Sequence, residues 1–83
     1  MRVPAAGLDL SDAGEAAVFA DRVAEESRRF CAVHVERITP EHPDHPRRCE
    51  RGMAEAAILA LPEQRRQMFI RSGGPGLLYR QLR

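Results

Sequence analysis

The segment Thr39-Pro40-Glu41-His42-Pro43-Asp44-His45-Pro46 places three prolines within seven residues, near the middle of an 83-residue chain. Proline lacks a backbone N–H and pushes the residue before it toward extended geometry, so no regular helix runs through such a segment. Helical periodicity is clear on both sides of it. At 100° per residue, Ala16, Phe19, Ala20, Val23, Ser27, Phe30, His34 and Ile38 fall on one face. Asp21, Arg22, Glu25, Arg28, Arg29, Ala32 and Glu36 lie mostly opposite. After the bend, Cys49, Met53, Ala56, Ala57 and Ala60 share a small-residue face that lets a neighbouring helix approach closely. A stiff bend between two such stretches predicts an antiparallel helical hairpin, which the rest of the chain must close into a bundle.

Local signals set the boundaries. Residues 1–10, with Pro4 and Gly7, read as an arm whose Leu8 and Leu10 can pack back onto the bundle. Asp12 followed by Glu15 resembles a capping box, so the first helix is predicted over 11–38. The connector occupies 39–44 and the second helix 45–61. Leu59 lies beside the small face, and Ile58 lies on the far side, where a third element must cover it. Pro62 breaks the second helix and opens a third over 62–72. Ser72-Gly73-Gly74-Pro75-Gly76 stops that helix, and 77–82 forms a short last one through Leu77, Leu78 and Leu82. The fold class is all-α: a single domain, a three- to four-helix bundle with a long N-terminal helix.

Size and composition exclude a good deal. A chain this short cannot hold a two-domain enzyme, a barrel or a dinucleotide fold. Twelve of its 36 apolar residues are alanine, and its aromatic residues are Phe19, Phe30, Phe69 and Tyr79 alone, so the core is thin. A homodimer seamed along the first helix is one way to complete it. No apolar run approaches the ~20 residues of a membrane span, and no signal-peptide pattern follows Met1. The chain therefore reads as cytoplasmic and not membrane-bound. Its two cysteines read as thiols or ligands in preference to a disulfide.

One constellation has metal-binding chemistry. Cys31 and His34 are three residues apart near the end of the first helix, and His45 and Cys49 are four apart at the start of the second. A hairpin brings those ends together, and thiolate plus imidazole is the donor set zinc prefers. The competing reading leaves His34 as a hydrogen-bonded core residue and Cys49 as a small buried hydrophobe. A Cys31–Cys49 disulfide is the third alternative. Nucleophilic catalysis lacks an oxyanion-stabilising loop beside the Cys31–His34 pair, and the glycine run lacks the strand and the Lys-Ser/Thr pair of a phosphate loop. The chain is expected to be no enzyme and to need no cofactor, zinc being the alternative.

Charge is polarised. Residues 1–26 carry a net −4 and residues 47–83 a net +5, and every basic residue is arginine. Arg47, Arg48 and Arg51 on the second helix, with Arg65, Arg66 and Arg71 on the third, form a candidate surface for a protein partner or for nucleic acid. Asp21, Glu25 and Glu26 form a candidate acidic contact face on the first helix. A helix-turn-helix reading meets two obstacles: a connection at Leu61-Pro62 that looks too tight, and no aromatic platform beside the arginines.

Glu55-Ala56-Ala57-Ile58-Leu59-Ala60-Leu61-Pro62-Glu63-Gln64-Arg65-Arg66-Gln67-Met68-Phe69 resembles a stretch of short uncharacterised phage and proteobacterial helical proteins. The chain departs from them at Ala54, where they carry cysteine, and at Ser72-Gly73-Gly74. The resemblance implies a phage or mobile-element origin and no enzymatic role. The resulting expectation is a small interaction or inhibitor protein, anti-CRISPR-like, that occupies a surface of a larger host protein or complex. The alternatives are a nucleic-acid-binding regulator and a zinc-stapled helical module.

Overall fold

The computed structural model describes residues 3–5, 7–38 and 45–82, and the predicted connector 39–44 lies outside the described residues. Four helices follow in order: α1 (Ala13–Ile38), α2 (His45–Leu59), α3 (Glu63–Arg71) and α4 (Gly74–Gln81). No strand occurs among the described residues. The 26 residues of α1 correspond to about 39 Å of helix, which matches the 40 Å long axis of the molecule. One helix thus sets the length, and α2 and α4 pack along it.

Asp12 starts α1 as the sequence suggests. Its Oδ2 accepts the Glu15 backbone N–H at 2.9 Å, satisfying a donor that has no intrahelical partner. The buried face of α1 runs through Ala16, Phe19, Ala20, Val23, Ala24, Ser27 and Cys31. Alanine and serine dominate it, so neighbouring backbones come close. The arm is integral to the core. Leu10 is fully buried, and Val3 and Leu8 pack against the cluster. Two long-range hydrogen bonds tie the arm to α3. Arg65 Nη1 donates to the Ala5 carbonyl at 3.1 Å, and Ser72 Oγ donates to the Leu10 carbonyl at 2.9 Å.

The buried face of α2 is rotated from the expected one. Cys49, Ala54 and Ile58 are buried, whereas Ala56 and Ala60 are exposed and Leu59 is 60% exposed. The run of small residues suggested one stripe, but the larger Ile58 gains more from burial, and Ala54 beside it allows close approach to α1. Ile58 is thus part of the main core.

Ser72 and Gly73 end α3, with Gly73 at φ 79, a left-handed conformation that glycine adopts without strain. The glycine run does not stop the helical path for long. Pro75 sits in the first turn of α4, which begins at Gly74, three residues earlier than the leucine pattern implies. Gly74 is required by packing: a Cβ there would come within 2.2–2.5 Å of three ring carbons of Phe69. Phe69 in turn meets Phe19 edge-on, with centroids 5.3 Å apart and planes at 87°. This pair, with Leu78 and Leu82 of the C-terminal segment, is the centre of the core.

Candidate functional site

The constellation Cys31, His34, His45 and Cys49 resolves differently from the zinc expectation. Cys31 and Cys49 are bonded to each other as a disulfide across 18 residues of sequence, so neither sulfur is a thiolate donor here. The expectation of free thiols is corrected. The side chains of His34 and His45 lie outside the description, and no group of three or more metal-donor residues occurs among the described residues. The physical reason is proximity: the hairpin that would gather a metal site also brings the two sulfurs within bonding distance. Both cysteines are buried, at 1% and 7% exposure. That placement is of a structural staple between α1 and α2.

The arginines divide into two kinds. On α3, Arg65 donates to the Ala5 carbonyl and Arg66 Nη1 donates to the Leu59 carbonyl at 3.3 Å. The Arg66 bond caps the C-terminal end of α2, whose own last turn contains no basic residue. Arg71 is exposed at the end of α3. On α2, Arg48 and Arg51 are exposed, and the side chain of Arg47 lies outside the description. The six arginines therefore do not act as one stripe, because two of them hold the chain's own backbone together.

The acidic face is also occupied from within. Asp21 Oδ1 accepts from Gln81 Nε2, which joins α1 to α4, and Arg28 donates to the Gln81 carbonyl beside it. Arg29 bridges Glu25 at 2.8 Å and Glu26 at 3.4 Å, both largely exposed pairs of the kind that contribute little to stability. Val3 and Pro4 of the arm line an open pocket of about 340 Å³ together with Arg22, Glu25 and Glu26.

Between α2 and α4 an open groove of about 590 Å³ is lined by Arg48, Arg51, Gly52, Glu55 and Tyr79. Arg51 and Glu55 lie one helical turn apart, and no ion pair joins them among the described residues. Arginine preceding glutamate is the weaker order for such a pair, which leaves both groups available. Gly52 adds no side chain, and a Cβ there would meet open space. Tyr79 is half-buried, its ring forming the opposite wall. The expectation that no aromatic accompanies the arginines is corrected at this point: Tyr79 is 28 residues away in sequence and arrives only because α4 returns along α1.

The helix-turn-helix geometry needs a correction as well. Three residues, Ala60, Leu61 and Pro62, separate α2 from α3, so the connection is not too short. The two helices nevertheless make little contact with one another, since α3 packs on α4 through Phe69 and Gly74. A recognition helix needs its supporting helix packed against it.

No helix among the described residues is long and apolar enough to cross a membrane. Comparison with protein-family models, curated proteins and solved structures finds no match in any of the three.

Proposed function

We propose that this chain works by contact: it is a small helical interaction module that occupies a surface on a larger protein and performs no chemistry of its own. The observation that carries this reading is the division of the arginines. Arg65 and Arg66 are bound to backbone carbonyls, whereas Arg51 lines an open groove together with Tyr79. A continuous track of cations suits a phosphate backbone; a short groove mixing arginine, tyrosine and one carboxylate suits a protein surface. An inhibitor of a host assembly is one form of such a module, and a cytoplasmic setting belongs to the same proposal only if the buried Cys31–Cys49 bond withstands a reducing pool.

Nucleic acid is the second reading, favoured by the one aromatic ring that Arg48 and Arg51 share a groove with. The two separate by titration of a fluorescent DNA duplex and a fluorescent single strand at about 50 and 200 mM salt, where phosphate-driven binding changes by orders of magnitude. The contact reading expects no saturable binding at either concentration. Saturable binding at low salt that collapses at high salt overturns it. In producing cells, a photo-crosslinking residue in place of Gly52 is expected to give one discrete protein adduct. Adducts to nucleic acid alone overturn the reading.

A further inference from the structure

We infer that the Cys31–Cys49 bond is a reversible redox switch that fixes one wall of the α2–α4 groove, so that the oxidised chain makes the contact and the reduced chain does not; this rests on the contact reading above. Two attachments hold α2 to the rest of the molecule. The core cluster takes Ala54 and Ile58 from it and includes neither cysteine. Earlier in the helix, Cys49 is bonded to Cys31, about two helical turns beyond Ala24, the last α1 residue of that cluster. Of residues 48–53, Cys49 alone is buried; Glu50 and Met53 are half-buried, and Arg48, Arg51 and Gly52 are exposed. Most of the groove's α2 wall comes from this stretch, through Arg48, Arg51 and Gly52. Across the groove, Tyr79 follows Leu78 and precedes Leu82, both fully buried in the core. The Tyr79 wall is thus fixed by apolar burial, and the wall around Arg51 and Gly52 by the bond at Cys49.

Opening the bond is a thiol–disulfide exchange with a dithiol or with two molecules of a glutathione-class thiol. The incoming thiolate attacks the Cys49 sulfur, the more exposed of the two at 7% against 1%, and the S–S bond breaks. A mixed disulfide forms on Cys49, and the Cys31 sulfur leaves and takes up a proton. The second reductant thiol then displaces the Cys49 sulfur, which is protonated in turn. The chain ends with two thiols and the reductant with one disulfide, a transfer of two electrons and two protons. Both sulfurs are buried in the closed form, so exchange waits for the first turns of α2 to open. The fold favours the reverse step. Ala54 and Ile58 stay packed in the core of the reduced chain, which keeps the two sulfurs on neighbouring helices at high effective concentration. Because neither sulfur belongs to the core cluster, both redox states keep the Phe19–Phe69 centre and differ around residues 48–53.

The test measures amide exchange in the full chain, oxidised and then reduced with dithiothreitol. Reduction is expected to speed exchange at least tenfold across residues 49–53 and less than twofold at Phe19, Phe69 and Leu78. Oxidised glutathione should restore the original rates. The double variant Cys31→Ser with Cys49→Ser should show the reduced rates and ignore dithiothreitol. Unchanged rates at residues 49–53 mean that the bond does not hold the wall, and overturn the proposal. Equal acceleration at Phe19 and Phe69 means that the reduced chain has no folded state to switch to, and overturns it too. So does a bond that dithiothreitol leaves closed in the native protein. A second arm places the photo-crosslinking residue at Gly52 in the oxidised chain and in the double serine variant, each irradiated in desalted lysate of the producing cells. The oxidised chain is expected to give at least tenfold more of the discrete protein adduct. Equal yields overturn the switch and leave the contact reading standing, whereas no protein adduct from either chain overturns the contact reading and the switch with it.

Discussion

The two ends of the α1–α2 hairpin are held by different physics. At the end where α1 begins, Ala16, Phe19, Ala20, Val23 and Ala24 meet Ala54 and Ile58 of α2, and the arm, α3 and α4 cover them. Burial of apolar surface is cooperative there, because each side chain touches several elements at once. Toward the other end the buried side chains from the described residues reduce to Ser27, Cys31 and Cys49, with Phe30 and Met53 half-buried. There a covalent bond joins α1 to α2. Bridging residues 18 apart restricts the unfolded chain by about 3 kcal/mol in the loop-entropy account.

The largest effects belong to the packed end. Phe69→Ala removes both the edge-on partner of Phe19 and the wall against Gly74, and is expected to cost about 3–5 kcal/mol in urea unfolding. Gly74→Ala, which forces a methyl group toward the same ring, is expected to cost about 1–3 kcal/mol. A loss below 1 kcal/mol in both variants would show that the core is centred elsewhere.

Cys49→Ser tests the stapled end. A destabilisation near 3 kcal/mol is expected, with amide exchange accelerating first in the distal turns of α1 and the N-terminal half of α2 while Phe19 and Phe69 keep their protection. If all amides accelerate together, the two ends form a single cooperative unit and the contrast between them fails. Alkylation of the native protein without reductant should leave both cysteines unmodified, and modification of both would mean that the staple is open where the protein works.

Smaller effects come from the entry to α1. Asp12→Ala leaves the Glu15 N–H without its acceptor and is expected to cost about 1 kcal/mol, read as a lowered Tm. Beside it, the hydroxyl of Ser11, and then its backbone N–H, hold the Asp9 carboxyl below the usual carboxylate range. A carboxyl depressed in the folded state contributes stability above its unfolded pKa and loses it as pH falls through the folded value. The turn before α1 should therefore loosen only in strong acid, and Asp9→Asn should flatten that dependence, measured by Leu10 and Ser11 amide exchange against pH.

Much of this was legible along the chain because it depends on neighbours in sequence. The Asp12 cap, the helix break at Pro62 and the left-handed Gly73 are decided by backbone chemistry within a few residues. The buried face of α1 was legible too, since the spacing of Phe19 and Val23 leaves one orientation that hides both. The face of α2 was not, because alanines are nearly indifferent to burial and Ile58 settled the rotation only once α1 was beside it. The groove was illegible for a similar reason: Arg51 and Tyr79 share no local pattern.

By itself, then, the sequence determined four things: that the chain is helical, that its helices break near Pro62 and Gly73, that charge is polarised, and that the core is thin. These follow from interactions whose range is a turn or two of chain. Tertiary structure alone decided that Cys31 and Cys49 bond to each other, that Arg65 and Arg66 serve the backbone while Arg51 lines a groove, and that Tyr79 lines the same groove. Each of those depends on which helix lies against which, and that is settled by the packing of the whole core around Phe19 and Phe69.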